Sequence, residues 1–279
     1  MFGKVRIYLE AGLYSTLIVL VACSGSGGDG TTGDDTSGNG GGVGSSEQGN
    51  AGTPGILHDA YQYFGANVAI ALDGYDVVLE ATGRPDHTSA YWNPSNASGL
   101  YVEPDPTITT VSRMSPGYIE DYNNLYTLRV ATSPSLATSS SATSLGPVGI
   151  AISGAPVFND QEGPNDNLNT GVISGFDRNG AHTGPETYHY HLEPRAISHD
   201  DGELIGVIAD GFFLYGRRDH SDDAAYPTDL DPSGGHFGVT QHSGGVEEYH
   251  YHITNDTYLG SYYLLFPEDY QGTPNSISR

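Results

Sequence analysis

Two tetrapeptides, Tyr188-His189-Tyr190-His191 and Tyr249-His250-Tyr251-His252, carry the strongest chemical signal in the chain. Each follows a leader of the same form, Asp-x-x-Gly-x-His-x-Gly, running from Asp177 through His182 in one case and from Asp231 through His236 in the other. With 20 Tyr and 11 His in 279 residues, a chain of this composition would hold the tetrapeptide by chance about 0.002 times. The two frames are therefore one unit used twice.

Tyrosine is a good strand former, and strand side chains alternate faces with period two. His189 and His191 then share one face, as do His250 and His252, with Tyr190 and Tyr251 on the other. The leader glycines suit a tight turn that returns His182 and His236 toward their own His-x-His pairs. Six imidazoles can thus act as metal ligands, either in two three-histidine sites or in a single centre shared by the copies. The competing explanation is a pair of strands whose histidines are tied by hydrogen bonds as a purely structural signature. Imidazole without thiolate favours copper or zinc over the oxygen-seeking calcium and magnesium, and copper(II) stands highest in the affinity order. Asp177 and Asp231 are placed to orient ligand imidazoles from behind, and the motif tyrosines to pack. His58, His199, His220 and His242 lie outside the repeated frames and are expected to be ordinary polar residues.

The elements that must hold these side chains read as mainly β. Apolar runs are short, rich in Val, Ile, Tyr and Phe, and separated by Gly, Pro, Asn and Asp clusters. Strands are expected at 68–72, 77–81, 107–112, 126–131, 148–152, 171–175, 204–208 and 258–266, with few helices. Their spacing implies a single sandwich- or barrel-like domain over 56–279. The Ser/Thr-rich stretch 132–144 reads as a surface loop.

Residues 1–22 have the form of an export signal, with Lys4 and Arg6 ahead of a short apolar run that ends at Ala22. The run is shorter than the roughly 20 residues a membrane-spanning helix needs. Leu20-Val21-Ala22-Cys23 looks like a bacterial lipobox, and Cys23 is the one cysteine in the chain, so lipidation there is the economical reading. Residues 24–55 are almost wholly Gly, Ser, Thr, Asp and Asn and read, with lipidated Cys23, as a flexible tether with a reach of about 30 Å. The expected location is the cell envelope, lipid-anchored, with the outer membrane of a Gram-negative bacterium as the favoured face.

The net charge of −24, with no lysine after Lys4, disfavours nucleic acid and anionic lipid headgroups as partners. Solubility accounts for most of this excess, and some acidic loops can also bind calcium.

Several further segments join the tetrapeptides in a pattern that resembles the bacterial YHYH family. They are Gly83-Arg84-Pro85-Asp86-His87, Leu145-Gly146-Pro147-Val148-Gly149-Ile150-Ala151, Ala209-Asp210-Gly211-Phe212-Phe213-Leu214-Tyr215-Gly216 and Asp229-Leu230-Asp231. The resemblance spans most of residues 67–266. It implies a metal-binding role for the histidines, adds His87 as a candidate ligand, and draws Asp210 and Tyr215 toward the site. The chain departs from relatives that carry cysteines in the leaders, having Arg178, Asn179 and Ser233 there, and has Asp231-Pro232 where relatives have Asp-Glu.

The leading functional reading is capture, storage or sensing of copper or zinc by an exported lipoprotein. The rivals are a metal-dependent extracytoplasmic enzyme, either hydrolase or copper oxidoreductase, and a metal-free adhesive β domain. A three-histidine ion with an open position can activate water or run redox chemistry, although neither H-E-x-x-H nor G-x-S-x-G occurs in the chain.

Overall fold

The computed structural model describes residues 55–279 except 97, 165, 221–223 and 268. The expected leader 1–22, Cys23 and all but the last residue of the expected tether 24–55 lie outside the described residues. Alternating apolar residues build the first sheet, in which β1 (Val68–Asp73), β2 (Asp76–Ala81) and β3 (Tyr126–Ala131) pair antiparallel in chain order. Val77 faces Val130, Leu79 faces Leu128 and Ala81 faces Tyr126, and all six are buried. These pairs form the inward face of a sheet whose other face is wetter.

The remaining strands are β4 (Leu136–Ser141), β5 (Pro147–Ala151), β6 (Pro156–Phe158), β7 (Gln161–Glu162), β8 (Asp166–Asn167), β9 (Ala181–His182), β10 (His189–Tyr190), β11 (Leu204–Ile208), β12 (Phe213–Tyr215), β13 (Gly235–Val239), β14 (Glu247–His252) and β15 (Tyr270–Gly272). Eight of them form the main sheet, in the order β13-β14-β12-β11-β5-β6-β10-β9, while β4 pairs with β15 and β7 with β8. The central strands β5, β6, β11 and β12 are buried almost throughout, which matches their unbroken apolar runs. Residues of the three-stranded sheet and of the main sheet belong to one apolar cluster that includes Leu79, Leu128, Ile150, Val157, Val207 and Phe213. The architecture is mainly β and sandwich-like, and the sheets do not close into a barrel.

The main sheet is two copies of one four-strand unit. Reading outward from its centre gives β5, β6, β10, β9 on one side and β11, β12, β14, β13 on the other. In each copy the outer hairpin is antiparallel and its inner strand pairs parallel to the next, Tyr190 beside Val157 and Tyr251 beside Leu214. At the join, β5 and β11 run antiparallel with Ile150 opposite Val207, so a pseudo-twofold axis passes between them. Gly149 and Gly206 occupy matching places beside it. A Cβ on Gly206 would lie 2.3 Å from the Ile150 carbonyl oxygen, and one on Gly149 2.7 Å from that of Val207. The two halves approach closely because neither has a side chain there.

Five of the eight expected strands, 68–72, 77–81, 126–131, 148–152 and 204–208, coincide with β1, β2, β3, β5 and β11 within a residue or so. Three segments differ. Residues 107–112 hold turns that Asp105 starts by accepting from the Thr107 amide, followed by the 3-10 turn Val111–Arg113. Residues 171–175 fall on α1 (Thr170–Ile173), because the Asn169 side chain caps the amides of Gly171 and Val172 and so favours a helical turn over extension. Residues 258–266 make isolated bridges, interrupted by left-handed backbone at Leu259 and Gly260. The expected loop 132–144 contains β4, an almost wholly exposed strand with no buried face to leave an apolar alternation in the sequence.

Candidate metal centres

Each leader is a turn closed by its own aspartate. Asp177 Oδ1 accepts from the Asn179 amide at 2.8 Å, the Asp177 amide donates to the Ala181 carbonyl, and Gly180 takes a left-handed φ of 66°. Asp231 accepts from the Ser233 amide at 2.8 Å, its own amide donates to Gly235, and Gly234 has a φ of 77°. These turns set His182 directly across from His189 in the β9–β10 pair, and His236 across from His250 in β13–β14. The second histidine of each tetrapeptide follows two residues on and shares the face, as strand alternation requires.

The fold separates the six imidazoles into two groups of three, each with one carboxylate. In the first, Nε2 of His189 lies 3.1 Å from Nε2 of His182 and 2.9 Å from Nε2 of His191. Glu162 Oε1 completes a ring of four donors, 2.8 Å from His182 Nε2 and 3.2 Å from His191 Nε2. In the second, Nε2 of His250 lies 3.2 Å from that of His236 and 3.0 Å from that of His252, with Asp219 as the accompanying carboxylate. All four candidate donors of either group lie within 4.8 Å of one another.

The opposite nitrogen of each ring decides what these short separations mean. Nδ1 of His189 faces the Thr187 carbonyl at 3.2 Å, and Nδ1 of His191 faces that of Asn159 at 2.6 Å. Nδ1 of His250 and His252 face the carbonyls of Glu248 and Gly216 at 3.0 and 2.7 Å. His236 Nδ1 meets Asp229 Oδ1 at 2.9 Å, and His182 Nδ1 meets the Ser115 hydroxyl at 3.0 Å. A carbonyl oxygen only accepts, so Nδ1 carries the proton and Nε2 of a neutral ring presents a bare lone pair. Lone pairs about 3 Å apart repel one another unless a cation lies between them. Tetrahedral zinc with bonds of about 2.0–2.1 Å holds its donors about 3.3 Å apart, close to the separations here. Glu162 Oε1 is buried and has no hydrogen-bond donor of its own, which likewise fits an ion at the centre of the ring.

Burial favours the neutral form of His182, His189, His250 and His252. It pushes His250 down to about 3 and His252 to about 4, with neighbouring imidazoles adding to the effect. Burial, and then His182 and His191, hold His189 well below the ordinary imidazole range. Aromatic walls reinforce the first group, with Phe158 stacked on His189 at 3.9 Å and Phe176 on His191 at 5.3 Å.

The other expected site residues sit behind the rings. Asp177 and Asp231 accept from the hydroxyls of Tyr188 and Tyr249 at 2.8 and 2.7 Å, so they anchor the first tyrosine of each tetrapeptide. Asp210 accepts from Tyr251 at 2.6 Å. None of the three contacts an imidazole of the groups; for His236 that part falls to Asp229. His87 is not one of the grouped donors, and its Nε2 meets the Tyr190 hydroxyl at 2.6 Å. Tyr215 packs edge-on to His250, the place that Phe158 fills against His189. Outside the frames, His58 pairs with Glu248 at 2.9 Å and His242 with Tyr215 at 3.1 Å.

Glu162 and Asp219 are functional candidates that the tetrapeptides do not reveal. Their signal is a longer duplication. At one constant offset Gly149 answers to Gly206, Ser153 to Asp210, Gly154 to Gly211, Val157 to Leu214, Asn159 to Gly216 and Glu162 to Asp219. The carbonyls that hold His191 and His252, and the carboxylates beside them, are thus the same positions of one repeat.

No curated protein and no solved structure matches the chain. The family model described as YHYH protein matches residues 127–228, which include the whole first copy with its donor group, and the upstream half of the second copy with Asp219. Over that stretch the chain carries a YHYH domain.

Proposed function

We propose that this chain is an exported, lipid-anchored protein that binds copper or zinc at two centres and serves metal capture, storage or sensing at the cell envelope. The observation that carries the reading is the convergence of three buried Nε2 atoms in each group while every Nδ1 is held from behind. Such backing is how proteins fix the tautomer and direction of ligand imidazoles. The thiolate-free donor set supports copper or zinc. The leader and Cys23 support export and anchoring.

Metal analysis of untagged protein, purified with copper or zinc supplied, should return about two ions per chain. The doubly substituted His189→Ala/His191→Ala and His250→Ala/His252→Ala proteins should each return about one. A wild-type protein that stays metal-free under both supplements would defeat the proposal. Anchoring is checked separately: wild-type protein should partition into detergent and Cys23→Ser should not.

A further inference from the structure

The two centres differ in how their fourth position is filled. In the first, the Glu162 oxygen touches two of the three Nε2 atoms, and Phe158 and Phe176 wall the rings. In the second, Asp219 Oδ1 accepts from the His220 amide at 2.7 Å. Among the described residues, the one carboxylate within 4.0 Å of a second-group imidazole nitrogen is Asp229, on the far side of His236. Leu230 stands where the first copy has Phe176, so that aromatic wall is missing.

Asp219 also lines a cavity of about 510 Å³, together with Tyr63, Glu203, His220, Gln241 and His242. That volume lies within the range of small-molecule pockets. The His242 ring lies tilted against Tyr63, with centroids 4.3 Å apart, and meets the Tyr215 hydroxyl through Nδ1, which leaves its Nε2 edge as a polar group beside the cavity. Closed four-donor sites hold ions structurally, whereas three protein ligands with an open position take water or an exogenous ligand.

Resting on the two-centre reading above, we infer that the centres divide these roles: the Glu162 centre is closed, and the Asp219 centre accepts a small oxygen- or nitrogen-donor ligand, reached from the cavity bounded by Tyr63 and His242 past Asp219, the one member of that centre that lines it. Asp219 lies farther from the imidazoles than Glu162 does, beyond 4.0 Å yet within 4.8 Å, so the incoming donor competes with one loosely placed carboxylate. His242 and Gln241 supply polar contacts, and the apolar faces of Tyr63 and Ile152 favour a compact organic body behind the donor atom.

The experiment uses the full chain loaded with two equivalents of cobalt(II), whose visible spectrum reports coordination, and titrates it with azide. One azide per chain should bind with a spectral change. The His189→Ala/His191→Ala protein, which keeps the second centre, should show that change, and the His250→Ala/His252→Ala protein should not. Azide binding at both centres, at neither, or at the Glu162 centre would overturn the inference while leaving metal binding intact. Failure of the wild type to take up cobalt, zinc or copper would instead overturn the two-centre reading. If either substituted protein does not fold, the remaining one locates the azide, and a wild-type stoichiometry of zero or two azides per two cobalt ions refutes the inference by itself.

Discussion

Replacing His191 with alanine isolates the energetic meaning of the first centre. His191 is 1% exposed, and its ring joins the Asn159 carbonyl at 2.6 Å to the donor ring at 2.9 and 3.2 Å. In metal-free protein the substitution removes one buried hydrogen bond and leaves a carbonyl unpaired, a cost of about 1–3 kcal/mol. In metal-loaded protein it also removes one of three imidazoles from a four-donor site. An ion held at about a thousand times its dissociation constant stabilises the fold by about 4 kcal/mol per site. For a domain of this size each kcal/mol moves the unfolding midpoint by about 2–4 °C, so two sites should raise it by about 16–32 °C. His191→Ala should keep about half of that rise, contributed by the centre around His250. Calorimetric melting of chelator-treated and zinc-loaded protein, wild type beside variant, measures both numbers. An equal metal-induced rise in the two proteins would mean that His191 holds no ion, and the argument from converging lone pairs would fail with it.

Acid should unfold the metal-free protein early. His250 and His252 have folded-state values of about 3 and 4, below the ordinary imidazole value of 6.5, so the unfolded chain binds more protons. Their stabilising contribution is complete above pH 6.5 and declines as the pH falls toward the folded values, by about 1.4 kcal/mol per unit for each ring. Urea unfolding of chelator-treated protein should therefore show a loss of about 3 kcal/mol between pH 7.5 and 5.5, and a flat profile would refute the buried neutral rings. Gly206→Ala tests the pseudo-twofold join: its Cβ would meet the Ile150 carbonyl oxygen at 2.3 Å, so β5 and β11 must separate. Stability should drop by at least the ~1–3 kcal/mol of ordinary overpacking. A variant as stable as wild type in urea would show that the halves are not in that close contact.

Much of the local geometry was legible in the residues alone. Tyr-His-Tyr-His in an extended chain puts its histidines on one face whatever surrounds it, and Asp-x-x-Gly closes a turn through its own side chain and a left-handed glycine. The strands β2 and β3 were equally plain, because one buried face leaves an alternating trace. Local patterns failed where a cap or an exposed edge intervened, as at Asn169 before α1 and along β4.

What the tertiary structure alone decided is how the six histidines divide and what completes each set. Periodicity says which face a side chain takes but not which strand lies beside it, and the pairings of β10 with β6, β14 with β12 and β5 with β11 are non-local. Those pairings separate the imidazoles into two groups, bring Asn159 and Gly216 behind His191 and His252, and deliver Glu162 and Asp219 from segments distant in sequence. The difference between a carboxylate against two imidazoles and one turned toward a cavity is a matter of packing distance, which no residue pattern encodes.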